Sequence, residues 1–255
     1  MLKLKQVTIR FGGITAVNQL DLEVRPGEII GLIGPNGAGK TTVFNMVTGV
    51  YEPTEGEVEY TYEGKPQLLN GLKQEEIAHM GICRTFQNIR LFGNMSVLEN
   101  VRIAANMRAE TGWLANIVRT PAYRKEDERL LAEANSLVEE VGLGPYKDNV
   151  ASSLPYGSQR RLEIARALAT KPRLLLLDEP AAGMNPEESR ALIEFIREVR
   201  DRYDLTIFLI EHHMDVIMGI SDRIYVLDHG QLIAQGLPEE IQNNPRVVEA
   251  YLGVD

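Results

Sequence analysis

The sequence has one cysteine, Cys83, and one tryptophan, Trp113, among 255 residues, and only 6% of its residues are aromatic. A single thiol excludes an internal disulfide framework and fits a reducing compartment. Also missing is any apolar run near the roughly 18 residues that a membrane-spanning helix needs. The opening stretch, Met1 to Arg10, alternates like a strand and lacks an apolar secretory core. Positive charge is not in excess either: the formal net charge is −9. That argues against a broad nucleic-acid surface and leaves room only for a local basic patch. No internal repeat or low-complexity segment occurs. We therefore expect a soluble intracellular protein that reaches a membrane only through a partner. What remains is ordinary: 44% hydrophobic and 25% charged residues, with length for one large α/β domain or two small ones.

Against this background one stretch stands out: Gly34, Pro35, Asn36, Gly37, Ala38, Gly39, Lys40, Thr41 and Thr42. It fits Gly-x-x-x-x-Gly-Lys-Ser/Thr, a phosphate-binding loop. Glycines let the backbone curl with its N–H groups turned inward, forming a nest for phosphate oxygens. Lys40 brings positive charge to the β- and γ-phosphates, and the Thr41 hydroxyl is a ligand for Mg²⁺. A helix starting near Gly39 adds its positive end to the same anion. The context agrees. Glu28–Ile33 before the loop is a short buried-strand run, while Val43, Phe44, Met46 and Val47 after it recur at helical spacing.

Residues 2–11 and 18–24 read as strands separated by Gly12-Gly13, and Val58–Tyr62 as a third that alternates. Together they predict an antiparallel layer beside the buried nucleotide strand. Phe11 is either a core aromatic or a platform for a base. From Gln74 to Glu140 the texture is helical, most clearly from Arg124 to Val141, where Leu130, Leu131, Ala134, Leu137, Val138 and Val141 share a face. Gly112–Val118, around Trp113, is an apolar stretch that suits a buried hairpin seam or an interaction patch. A further helix follows Gly157. Asn185-Pro186-Glu187-Glu188 is a helix start, with a capping Asn, proline in the first turn and acids at the positive end. Thr206–Ile210 reads as a buried strand, Ile224–Ala234 as a hairpin, and Pro238–Gln242 as a short helix.

Leu174–Leu177 is a buried strand that ends in Asp178-Glu179. Ligands of open α/β sheets gather at such strand ends. Asp178 suits a Mg²⁺ contact and Glu179 the deprotonation of an attacking water. Two adjacent acids alone usually mean a solvated strand end; four preceding leucines and a phosphate loop favour the chemical reading. His212 follows Thr206–Ile210 in the same way, either as a γ-phosphate contact or as a structural histidine.

With these residues in hand, the chain resembles the ATP-binding subunits of ABC transporters over essentially its whole length. Phe11 looks like the adenine-stacking aromatic, Gly34–Thr42 the Walker A loop, and Gln87 in Arg84-Thr85-Phe86-Gln87 the Q-loop glutamine. Leu154–Arg161 occupies the place of the signature motif, Leu174–Asp178 that of Walker B, and Glu179 that of the catalytic glutamate. Ala182–Asn185 is similar to the D-loop, and His212 matches the switch histidine. Arg10–Gly13, the run at 84–92, the segment Trp113–Tyr123, residues 177–186 and the tail at 244–253 look like branched-chain amino acid importers, with the larger of the two ATPase subunits the nearest likeness.

The resemblance implies an ABC-type P-loop ATPase with a RecA-like mixed sheet core, an N-terminal antiparallel layer and an inserted helical subdomain. Residues 1–86 and 165–235 would form the core, 87–164 the helical subdomain and 236–255 a tail. It implies catalysis by Glu179, His212 and Lys40 and a Mg²⁺ site at Thr41, Gln87 and Asp178. ATP would bind at Phe11, Gly34–Thr42 and Gln87, with Pro155, Tyr156, Gly157 and Ser158 covering the nucleotide of a second ATPase subunit. Two membrane-spanning permease subunits, docking near Gln87–Leu91, and an extracytoplasmic solute-binding protein complete the implied system, placing the chain on the cytoplasmic face of the inner membrane. Other implied solutes are urea, other amino acids or lipid; a soluble ATPase switch on nucleic acid or ribosomes is the competing class. The chain departs from the wider pattern at Pro155 and Tyr156, which replace a serine and a glycine, and at Asn185, which replaces an aspartate. Proline has neither hydroxyl nor N–H to donate, so two ATP sites of unequal strength are expected when the partner carries an ordinary signature.

Overall fold

The computed structural model describes residues 1–109 and 120–252. The apolar stretch around Trp113 lies outside them. Contacts divide the chain into two compact units, residues 1–87 with 173–255 and residues 88–172.

The first unit holds two sheets. The four-stranded sheet has the order β2(Ile14–Val24), β1(Leu2–Phe11), β4(Glu55–Tyr62), β5(Lys65–Leu68), antiparallel throughout. Leu2 and Leu4 face the core by simple alternation. Alternation then slips at Gln6, whose φ is +49°, and Val7 and Ile9 return to the buried face. The slip lies at a register shift of the β1–β2 ladder, a bulge that keeps the apolar set inward. The second strand starts at Ile14, not at 18: Ile14 and Thr15 are exposed yet paired with Phe11 and Arg10. Burial pattern alone misses such an exposed strand end.

The six-stranded sheet has the order β10(Gln231–Gly236), β9(Arg223–Asp228), β3(Ile29–Ile33), β8(Thr206–Ile210), β7(Leu174–Asp178), β6(Ile82–Arg84). All neighbours are parallel except β10 with β9. Every residue of β3, β7 and β8 is buried, as their unbroken apolar runs require of parallel strands with two covered faces. Helix Lys40–Val47 packs Phe44 against Phe208, with ring centroids 4.9 Å apart. The three-residue β6 interrupts the stretch that reads as helix from 74 to 140: it is too short to show a period, and parallel pairing with β7 decides its state.

The second unit is helical. Among its described residues the α-helices span Val97–Ala105, Pro121–Glu140 and Tyr156–Ala169, and Leu130, Ala134, Leu137 and Val138 are buried on the middle one, as the spacing predicts. Ser96 and Glu99 form a reciprocal cap at the start of the first. The expected boundary at 164 would cut helix Tyr156–Ala169; its continuous hydrogen bonding keeps it in one unit, which runs to Pro172.

Candidate functional site

Strands β3, β8 and β7 lie side by side and point the same way, with Leu32 and Asp178 both in register with Ile210. Their carboxyl ends therefore share one edge of the sheet, and each end carries a group with chemical capacity.

β3 leads into Gly34–Gly39 and then helix Lys40–Val47. The cap residue Gly39 has φ +100°, and a Cβ there would lie 2.7 Å from the Ala16 carbonyl oxygen, so only glycine fits. The loop is tied by backbone bonds from Ala38 N–H to the Pro35 carbonyl (3.2 Å) and from Gly230 N–H to the Ala38 carbonyl (3.1 Å). Lys40 is buried at 6% exposure, and its Nζ donates to the carbonyl oxygens of Gly34 (2.7 Å) and Pro35 (2.9 Å). Burial pushes its ammonium below the ordinary lysine value, while Glu179 and Asp178 pull the other way. An anion bound in the loop would favour the charged form further. Thr41 follows on the same helix and is exposed.

β7 delivers Asp178 and Glu179. Asp178 is 5% exposed, and its Oδ2 accepts from Nη2 of Arg84 at 2.6 Å. Arg84 also donates from Nη1 to Oδ1 of Asn45 (2.7 Å) and sits 5.5 Å from the ring centroids of Phe44 and of Phe86. Glu179 has φ +45°, a conformation that costs a non-glycine residue about 1–3 kcal/mol and gathers at functional sites. Its N–H donates to the Ile210 carbonyl at 2.9 Å, which holds the turn. Its carboxylate is bracketed: Oε2 accepts from Gln87 Nε2 at 2.6 Å, and Oε1 meets His212 Nε2 at 2.9 Å. A carboxylate only accepts, so the His212 tautomer with its proton on Nε2 is assigned. Gln87, Glu179 and His212, foreseen separately, thus form one hydrogen-bonded group.

Thr41, Gln87 and Asp178 offer only oxygen to a cation: a hydroxyl, an amide carbonyl and a carboxylate. Such a set suits Mg²⁺, which takes most of its ligands from water and phosphate. Among the described residues no group of three or more His, Cys, Asp or Glu is placed to hold a metal ion.

Four residues escape the sequence reading. Glu211, 1% exposed, accepts from the N–H groups of Ala181 (2.8 Å), His212 (2.9 Å) and His213 (3.2 Å), joining the loops after β7 and β8. Its place at the end of a buried strand, like that of Asp178, was the available signal. Tyr51 makes an edge contact with Phe11, centroids 5.0 Å apart. Phe11 is 43% exposed, which rules out its reading as a core aromatic. Arg84 lies in the quoted Gln87 motif without a role, and Arg160 in the second unit is fully buried, donating to Glu163 at 2.5 Å. In that unit Pro155 caps helix Tyr156–Ala169 without a side-chain bond, Tyr156 is 40% exposed, and a Cβ on Gly157 would meet nothing within 4 Å. Asn185 caps helix Pro186–Tyr203 as expected, its Oδ1 accepting from Glu187 N–H (2.9 Å) and Glu188 N–H (3.0 Å).

A mostly parallel sheet in which one strand feeds a glycine loop, and another two places along ends in paired acids, defines a phosphate-loop ATPase. Comparison with known proteins narrows the class. Residues 17–182 match the ABC transporter family, and residues 231–255 match the family described as branched-chain amino acid ATP-binding cassette transporter. The high-affinity branched-chain amino acid transport ATP-binding protein LivG of Escherichia coli K12 is 49% identical over 99% of this chain and 98% of its own. BraF of Pseudomonas aeruginosa, described in the same terms, is 45% identical over the same shares. Among solved structures, the ADP conformation of MJ1267, an ATP-binding cassette of an ABC transporter, has a TM-score of 0.84 at 30% identity, covering 100% of this chain and 99% of that one. The chain belongs to the ABC transporter ATP-binding family and is an ATP-hydrolysing transporter subunit. Among the described residues no helix is long and apolar enough to cross a membrane.

Proposed function

We propose that this chain powers an importer of branched-chain amino acids from the cytoplasmic face of the inner membrane. The observation that carries the reading is its full-length likeness to LivG. On this reading the chain is half of a two-subunit sandwich, working with a second ATPase subunit, two permease subunits and, at one remove, a solute-binding protein. The helical unit would dock the permeases, and its Pro155–Ser158 segment would cover the nucleotide of the second subunit. Pro155 offers that site neither the hydroxyl nor the N–H of a serine.

The residues of the strand edge divide the chemistry. Lys40 sets its ammonium against the β- and γ-phosphates. Thr41, Gln87 and Asp178 would hold Mg²⁺, which supplies positive charge to the phosphate oxygens. Glu179 accepts the proton of the attacking water on its carboxylate, while His212 and Gln87 keep that carboxylate aimed. Phe11, steadied by Tyr51, gives adenine a stacking face.

Two tests follow. Reconstituted in vesicles with its membrane partners, the complex should take up leucine only with ATP, and Lys40→Ala should abolish both nucleotide affinity and uptake. Uptake of urea or another solute in place of leucine would overturn the substrate. Phe11→Ala should weaken ATP by about 1–3 kcal/mol, the range for one lost base stack, and GTP equally, since stacking reads a π-face. A switch in preference from ATP to GTP in binding titrations would remove Phe11 from the site.

A further inference from the structure

The last helix of the chain, Pro245–Leu252, reaches back to the phosphate loop. Tyr251 accepts on its hydroxyl a hydrogen bond from the backbone N–H of Gly34 at 2.8 Å, across 217 positions of sequence. Gly34 is the loop's first residue and is held on three sides. Its N–H goes to Tyr251, and its carbonyl accepts from Lys40 Nζ at 2.7 Å. On the third side a Cβ would lie 2.0 Å from the Leu227 carbonyl oxygen, so the backbone is pressed against β9. Gly34 thus connects the tail to the lysine of the site through the two peptide groups that flank its Cα.

The tail itself is seated. Val247 is 3% exposed, and Asn244 opens the helix by accepting on Oδ1 from Arg246 N–H at 3.0 Å. The hairpin turn before β10 supplies the other end of the grip, Gly230 N–H donating to Ala38. Between these two points lies a cleft of about 630 Å³, with Pro35 and Asn36 on one wall and Arg246 and Glu249 on the other. The helix therefore meets the loop through a strut rather than through continuous packing. Burial pushes the Tyr251 phenol above its ordinary value and the Gly34 bond draws it down, so it stays protonated at neutral pH.

We propose that Tyr251 is a positioning residue for nucleotide binding: its hydroxyl fixes Gly34, and through Gly34 the loop that presents Lys40 to phosphate. The C-terminal helix is then part of the nucleotide site, acting through the backbone and touching no nucleotide. An acceptor that holds the loop in its binding conformation lowers the ordering cost of binding. The inference rests on Gly34–Thr42 being the phosphate site.

The test is Tyr251→Phe in the full chain, which deletes the hydroxyl and keeps the ring. A neutral hydrogen bond of ordinary strength corresponds to roughly a two- to tenfold rise in the Kd for ATP, read by calorimetry. The KM for ATP should rise with it, while kcat falls by less, because Glu179 and His212 are untouched. The Gly34 amide proton resonance should move upfield on loss of its acceptor, and the thermal midpoint should stay put. An unchanged Kd, or parallel losses of kcat, KM and thermal midpoint, would overturn the proposal. Lys40→Ala is the control: if it leaves ATP affinity intact, the loop is not the phosphate site. If it weakens ATP and Tyr251→Phe does not, the tail's role alone is lost.

Discussion

Glu179→Gln is expected to cut ATP turnover by about 10²–10⁴-fold, the usual contribution of a positioned base, while nucleotide affinity stays within a few-fold of the original. The expectation comes from how the carboxylate is held. Glu179 accepts from Gln87 on Oε2 and from His212 on Oε1. A carboxamide accepts on one oxygen only, so its NH₂ must face one of these donors. His212 resolves the conflict by carrying its proton on the other ring nitrogen, at the cost of a tautomer change and no broken packing. The positive-φ turn at residue 179 is fixed by backbone, through the N–H bond to Ile210, and survives the exchange. Lys40 stays bonded to the loop carbonyls. Binding and turnover should therefore separate cleanly. Steady-state phosphate release in the reconstituted complex decides the matter: activity near the original level would remove Glu179 as the base.

The parts of this site that could be read from sequence are those in which chemistry and local structure coincide. Gly34–Thr42 declares itself because glycine spacing, a preceding apolar strand and a following helix must all be present for the loop to form. Asp178 and Glu179 are legible because five buried residues cannot end in acids without a reason at the sheet edge. Arg84, Tyr51 and Tyr251 were not legible, since each acts on a partner placed by topology, whereas Glu211 carried the signal of a buried strand end. Arg84 meets Asp178 across 94 positions, and Tyr251 meets Gly34 across 217. Periodicity reports what an element buries against, not which distant side chain shares its end. The strand Ile82–Arg84 was hidden likewise, since pairing with β7 rather than intrinsic pattern makes it a strand.

Arg84 carries the largest expected effect on stability. Asp178 is buried and Arg84 largely so, their side chains 7% and 9% exposed. Removing one partner of such a pair leaves an uncompensated charge and costs about 3–5 kcal/mol. Arg84→Met should therefore lower the unfolding midpoint by roughly 6–20 °C, at about 2–4 °C per kcal/mol for a chain of this size. The loss has a chemical side as well. Arg84 occupies only Oδ2 of Asp178 and draws Asn45, next to Phe44, into the same network, so the carboxylate is aimed by the helix that carries Lys40. Arg84→Lys keeps a charge but loses the planar fork that serves Asn45 and Asp178 together, and should fall between the two. Asp178→Asn alone should also destabilise, by stranding the guanidinium. The double variant, Arg84→Met with Asp178→Asn, should then lose less stability than the sum of the singles, because no unpaired charge remains. Denaturant unfolding of the four proteins measures that coupling, and strict additivity would show that the bridge is not what holds Asp178 in place.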